Sequence, residues 1–180
     1  MKEISIIIVS YNVKYYIEQC LHSIFRSQGI DISSIEIFVV DNFSKDGTVS
    51  YLRQQFNPTR TPNVRIIANK RNVGFGRANN QAVRMATGKY ILFLNPDTLL
   101  TEHTLADVLT EARQHEKFGG IGVKMLHTNG QFAPESRRGV PSPWAAFCKM
   151  SGLLRLFPHS RVFGRYYMQS FSKDIKAPID

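Results

Sequence analysis

Four short apolar runs, at residues 4–9, 36–40, 64–67 and 90–94, each break off into a polar loop and then into a helix-period pattern. No other feature constrains the fold as much. The first run, Ile-Ser-Ile-Ile-Ile-Val, is rich in β-branched residues and stops at Ser10-Tyr11-Asn12, which predicts a strand. Ile17, Cys20, Leu21, Ile24 and Phe25 then fall at i, i+3, i+4, i+7 and i+8, the spacing of one helix face, with Gly29 placed to end it. Val49, Leu52 and Phe56 mark a short second helix closed by Pro58, and Ala78, Ala82 and Ala86 a tightly packing third ended by Gly88. Thr101 is placed to cap a fourth, with Leu105, Val108, Leu109 and Ala112 inward. A fifth strand is expected over 120–126, with a hairpin turn at Asn129-Gly130. The alternation predicts an α/β domain with a largely parallel sheet flanked by helices.

In such a sheet, ligands bind outside the carboxyl ends of the strands. Ser10-Tyr11, Asp41, the 69–76 loop and Asn95-Pro96-Asp97 each follow directly on a predicted strand. All four should therefore converge on one edge. Asp41 offers an acceptor-only carboxylate, suited to a ribose hydroxyl or the N3–H of a uracil or thymine ring; the alternative is an Asx-type cap of its own turn. Asp46-Gly47-Thr48 reads as turn and helix-start chemistry. Gly74 and Gly76 permit close backbone approach and lead into a helix whose N-terminal N–H groups favour an anion such as a diphosphate. This glycine pair follows the third strand and has no third glycine in register, which argues against a nicotinamide site. Asp97, on a turn stiffened by Pro96, can supply one hard oxygen ligand to Mg²⁺ or Mn²⁺, with Asn95 adding a hydrogen bond or a carbonyl. Such an ion neutralises a departing diphosphate.

At 180 residues the chain fits one ordinary domain with a real core. Its net charge of +9 favours anionic partners. Residues 131–180 hold eight Lys and Arg against three acids, five of the nine net positive charges. No recognition motif points to nucleic acid. No apolar run approaches the ~20 residues that span a bilayer, and the start lacks a signal-peptide layout, so a cytoplasmic location is expected. Cys20 and Cys148 read as buried free thiols.

The series Ser-Ile-Ile-Ile-Val-Ser-Tyr-Asn12, Val-Val-Asp-Asn-Phe-Ser-Lys-Asp-Gly47, Asn-Val-Gly-Phe-Gly-Arg-Ala-Asn-Asn80 and Leu-Asn-Pro-Asp-Thr98 closely resembles the family 2 glycosyltransferases, most of all the rhamnosyltransferase-like branch that builds bacterial surface polysaccharides. The resemblance runs in order from residue 4 to about 126. It implies a GT-A fold, Rossmann-like, with residues 1–130 as the donor core and 131–180 as the start of an acceptor-side region. It also implies a UDP- or dTDP-linked sugar donor, a divalent metal, and an inverting transfer to a polysaccharide or lipid-linked glycan. By the same resemblance Ser10, Tyr11 and Asp41 hold the nucleoside. Asn72, Gly74, Phe75, Gly76 and Asn79 line the donor site. Asn95 and Asp97 stand at the metal and diphosphate motif, with Asp97 as metal ligand.

Two positions depart from the family pattern. Asn95 stands where the motif usually has a first acid, and Phe43 where a small residue is usual, read as a change of local packing. The family's acceptor half and its general base have no counterpart here, leaving Glu135 and Asp174 as the remaining candidates. The chain is therefore expected to be a piece of a larger or split enzyme, or a donor-binding fragment without transfer. Its basic, aromatic last stretch, with Trp144, Phe147, Met150, Leu153, Leu154 and Phe157, either packs on the rest of the enzyme or rests peripherally on an anionic membrane face.

Overall fold

The computed structural model describes residues 2–116, 119–133, 136 and 143–151. The chain divides into two compact units, Met1–Glu116 and Lys117–Asp180. In the first, four parallel strands, β1 (Ile4–Ser10), β2 (Ile35–Asp41), β3 (Val64–Ala68) and β4 (Tyr90–Phe93), lie in the order β3-β2-β1-β4. The chain builds outward from β1 to β3 and then crosses back to β1's other side. That reversal is the topological switch at which such sheets bind ligands.

β1 and β2 are buried along their whole length, which is why they read as continuous apolar runs. Ile4, Ile6 and Ile8 of β1 with Ile35, Ile37 and Val39 of β2 pack on one face against α1 (Lys14–Phe25), α2 (Thr48–Gln55) and α4 (Thr104–Gln114). Ile17, Cys20, Leu21 and Ile24 supply α1's buried stripe, as their spacing predicts. The other face is thinner. There Ile7, Val9, Phe38 and Val40 meet Ala78 and Ala82 of α3 (Phe75–Val83), small side chains that let the helix lie close to the sheet.

Several boundaries differ from expectation. α1 ends at Phe25, and Gly29 serves the following loop at φ +74°, where an added Cβ would stand 3.1 Å from Ala106. α3 begins inside the glycine motif, at Phe75, and stops at Val83, before Ala86. His103, not Thr101, occupies the N-cap of α4; the Thr101 hydroxyl instead meets that of Thr104 at 2.7 Å.

In the second unit, residues 120–125 form no strand, and Leu126 makes an isolated antiparallel bridge to Phe132. A strand exists by its partner as well as its pattern, and Gly120 and Gly122 weaken this one. The Asn129-Gly130 turn does form, with Gly130 at φ +78° and the His127 N–H donating to the Gln131 carbonyl at 2.8 Å. α5 (Pro143–Met150) carries exposed Trp144 and Phe147, their rings stacked at 5.7 Å, and a buried Cys148. Pro141, Leu153, Leu154, Phe157, Pro158, Glu135 and Asp174 lie outside the described residues. Among the described residues no helix is long and apolar enough to cross a membrane.

Candidate functional site

The parallel register sets Ser10 beside Asp41 and Asp41 beside Ala68, so the first three strands end level. Backbone pairing extends past them: the Asn42 N–H donates to Ser10 O at 2.8 Å, and the Asn69 N–H to Asp41 O at 2.9 Å. On the other side the Leu94 N–H donates to Ile7 O, which carries Asn95-Pro96-Asp97 out beside β1. The loops after all four strands thus emerge at one edge, as the sequence predicts.

Asp41 and Ser10 are both buried, at 1% and 0% exposure. The Asp41 carboxylate accepts the Ser10 hydroxyl at 3.2 Å, the Ser44 N–H at 2.9 Å and the Ser44 hydroxyl. It closes its own turn in this way, and Oδ1 keeps one of its two lone pairs. Tyr11 is half exposed. Asn72 accepts the Asn42 amide at 2.8 Å and the Gly74 N–H at 2.9 Å. Gly74, at φ +84° and ψ 158°, takes a backbone conformation that is essentially glycine's own, at the N-cap of α3. Phe75 is exposed, and a Cβ on Gly76 would meet only open space. Asn79 is not brought into the loop cluster: it is buried on α3, where its amide donates back to Phe75 O at 3.1 Å.

Asn95 and Asp97 are exposed, and among the described residues nothing donates a hydrogen bond to the Asp97 carboxylate. Their turn is held from below by α1. The Cys20 thiol donates to Asn95 O at 3.6 Å, and the Ser23 hydroxyl accepts the Leu100 N–H at 3.1 Å. Burial, then the nearby Asp97 carboxylate, push the Cys20 pKa up to about 12 against a weaker opposing hydrogen bond at Thr98. The thiol therefore stays a protonated donor at neutral pH.

Sequence reasoning missed the residues that lace the edge together. Asn42 is buried at 3% exposure, and its amide oxygen accepts from the Val73 N–H at 2.9 Å and from Asn69 at 3.3 Å, joining the second and third loops. Asn12 and Ser44 join the first and second: the Asn12 N–H donates to Ser44 Oγ at 2.9 Å, and the Lys45 N–H to Asn12 Oδ1 at 2.8 Å. The available signal was an Asn or Ser within the first three residues after a strand, where its side chain can bond neighbouring backbone. Asp46 fills its expected role, accepting the N–H of Thr48 at 3.0 Å and of Lys14 at 3.2 Å, at the starts of two helices. A shallow pocket near Lys2, Phe25 and Arg60 lies at the opposite, amino end and holds none of these residues.

This architecture is a GT-A, Rossmann-like fold. The chain belongs to glycosyl transferase family 2, whose family model matches residues 5–175. It is similar to the minor teichoic acid biosynthesis protein GgaB of Bacillus subtilis, 32% identical over 114 residues, covering 63% of this chain and 12% of that protein. It is also similar to the poly(ribitol-phosphate) β-N-acetylglucosaminyltransferase TarS of Staphylococcus aureus, 28% identical over 76% of this chain and 23% of TarS. A crystal structure of TarS residues 1–349 with UDP-GlcNAc superposes with a TM-score of 0.60 at 26% identity, over 79% of this chain and 38% of that one. The mannosyltransferase PcManGT of Pyrobaculum calidifontis, in complex with GDP-Man and Mn²⁺, does so with a TM-score of 0.55 at 26% identity, over 68% and 36%. The chain spans less than a quarter of the length of GgaB or TarS.

Proposed function

We propose that the unit Met1–Glu116 binds the nucleotide-diphosphate sugar of a metal-dependent, inverting glycosyltransferase that builds a cell-surface polysaccharide. The observation that carries this reading is the edge itself: four strand-end loops emerge at the switch point, the first three laced to one another and the fourth held by α1, with an exposed carboxylate at Asp97 that accepts no hydrogen bond among the described residues. Family membership and the UDP-GlcNAc bound by TarS support a nucleotide-sugar donor. A UDP- or dTDP-sugar fits the remaining acceptor capacity of Asp41, which suits the N3–H of uracil or thymine or a ribose hydroxyl. The N-terminal N–H groups of α3 favour the diphosphate, and open space over Gly76 lets it approach.

The residues fit a divalent ion. Among the described residues no three His, Cys, Asp or Glu side chains gather, and the exposed Asp97 is the carboxylate proposed for the ion. Mg²⁺ and Mn²⁺ sites of this kind complete their shells with phosphate oxygens and water, and the Mn²⁺ in PcManGT supports one here. When bound, the ion stabilises charge on the leaving diphosphate. Asp97 orients the diphosphate, and Cys20 and Ser23 keep its turn in place. Inversion at the anomeric carbon requires a base to take the acceptor hydroxyl's proton, a contribution of typically ~10²–10⁴-fold. The acceptor is a glycan or lipid-linked glycan. The basic excess over residues 131–180 supports a peripheral position on the cytoplasmic face of an anionic membrane.

Thermal unfolding with UDP and dTDP, each with and without Mn²⁺, tests the reading on wild type and Asp97→Ala. Nucleotide at a hundredfold excess over its dissociation constant should stabilise wild type by about 2.7 kcal/mol. The metal-dependent part should vanish in Asp97→Ala, while its ligand-free stability stays within about 0.5 kcal/mol, as for an exposed residue. Absence of any nucleotide shift in folded wild type would overturn the proposal. Binding without product, when a glycan acceptor is added, would assign the chain a donor-holding role only.

A further inference from the structure

Phe43 occupies a backbone conformation that its side chain makes costly. Its φ is +77°, in the left-handed region that a bulky residue rarely enters. Asn12, at φ +54°, is the other non-glycine residue there among the described residues, and asparagine tolerates it. The turn offers Phe43 no way out. On one side Asp41 and Asn42 are buried, and the Asn42 amide is tied to Asn69, Asn72 and Val73. On the other, Ser44 is bonded both to Asp41 and to the Asn12 N–H. Glycine or asparagine would make the same turn without the cost.

Nor is the residue enclosed in a core. Phe43 stays 37% exposed, and Lys45 Nζ stands over its ring at 3.6 Å from the centroid. A large aromatic side chain, strained and left open at a loop cluster, points to a role outside the fold.

We propose that Phe43 contacts the base of the nucleotide donor, giving the site an apolar wall that selects a flat ring beside Asp41. This rests on the donor-binding reading above. Phe43 is two residues from Asp41 in the turn that the Asp41 carboxylate closes. Hydrogen bonds between Asn12 and residues 44 and 45 fix that turn against the loop carrying the exposed Tyr11. Lys45 holds the ring by a cation–π contact and adds positive charge for an anionic nucleotide.

The test pairs two measurements that move in opposite directions. Phe43→Gly and Phe43→Trp are compared with wild type for ligand-free Tm and for calorimetric affinity toward UDP and toward inorganic diphosphate, each with Mn²⁺. Phe43→Gly should raise the ligand-free Tm, by relieving strain, yet weaken UDP about tenfold, the scale of one base–aromatic contact. Diphosphate, which has no base, should bind both proteins alike. Phe43→Trp should keep wild-type UDP affinity without the gain in Tm.

Unchanged UDP affinity in Phe43→Gly would overturn the inference, as would equal losses for UDP and diphosphate, which would mean that the residue shapes the loop and not the base site. A lower Tm in Phe43→Gly would show that the ring supports the fold, and would also overturn it. If wild type binds no nucleotide at all, the donor-site reading fails first and this inference falls with it; that result is visible before any variant is made.

Discussion

At the amino end of the sheet Glu36 is buried at 2% exposure, and its Oε1 accepts the Ser5 hydroxyl at 2.7 Å, the Thr87 N–H at 2.5 Å and the Gly88 N–H at 3.2 Å. At the carboxyl end Asp41 is as deeply buried and accepts from Ser10 and Ser44. The two carboxylates lie on the same strand and are bonded in similar ways, but what surrounds them differs. Around Glu36 the bonds close the α3–β4 connection onto β1 and β2. Gly88 comes so near that a Cβ on it would lie 2.5 Å from the Ser5 nitrogen. Around Asp41 the bonds hold up exposed groups: Tyr11, Phe43, and the loop leading to Phe75. Both described non-glycine residues at positive φ lie at this second end. Buried polar bonding thus secures the fold at one pole and, at the other, fixes loops that present side chains to solvent.

Substitutions at the amino pole should cost stability and leave ligand binding alone. Gly88→Ala forces a methyl group into the β1 backbone, and Glu36→Ala takes the acceptor from four donors, the buried Ser5 hydroxyl, the N–H and hydroxyl of Thr87 and the Gly88 N–H. Each should lower stability by about 3 kcal/mol or more in urea unfolding. Where the protein still folds, nucleotide affinity should match wild type. Loss of affinity without loss of stability would erase the contrast between the poles.

Ser23→Ala should have a smaller and mixed effect, because it lies under the Asp97 turn. Removing the acceptor of the Leu100 N–H should cost about 1 kcal/mol of stability. It should also weaken Mn²⁺-dependent nucleotide binding more than metal-free binding, as measured by titration calorimetry. Equal weakening of both would separate the α1 contacts from the metal site.

The smallest effect concerns pH. For Glu36, burial raises the carboxyl pKa, but hydrogen bonds from Ser5 and Thr87 and the Arg65 charge together hold it below its ordinary value of 4.5. For Asp46, burial likewise opposes the hydrogen bonds from Thr48 and Lys14, which again win. Both carboxylates are more acidic folded than unfolded, so the stability they contribute is present above about pH 4.5 and lost as pH falls through their lowered values. Glu36→Gln should flatten this acid limb in urea midpoints measured from pH 6 to pH 3; an unchanged limb would assign it to other groups.

Much of this was legible in the residues. Ile4 to Val9 and the 36–40 run had to be buried strands, because apolar runs of that length have no other stable place in a chain of this composition. The stripe at Ile17, Cys20, Leu21 and Ile24 had to be a helix face, since periodicity is a local property. Parallel order then forced the strand-end loops onto one edge, which is how Ser10, Asp41 and Asp97 came together before any coordinates. The run at 120–126 misled for the complementary reason: its apolar character is local, but strand formation needs a neighbour with free backbone groups.

What only tertiary structure decided is who bonds to whom. Asn42 gave no sign that its amide oxygen would serve Val73 and Asn69, nor Cys20 that its thiol would reach Asn95, 75 residues away. The left-handed φ of Phe43 is likewise invisible in the sequence, since phenylalanine by itself avoids that region. These features arise when separate loops are closed against each other, and closure fixes angles that no local preference would choose. The sequence determined the elements and the edge at which their loops meet; packing of those loops decided which side chains are spent on holding the edge and which are left to face a ligand.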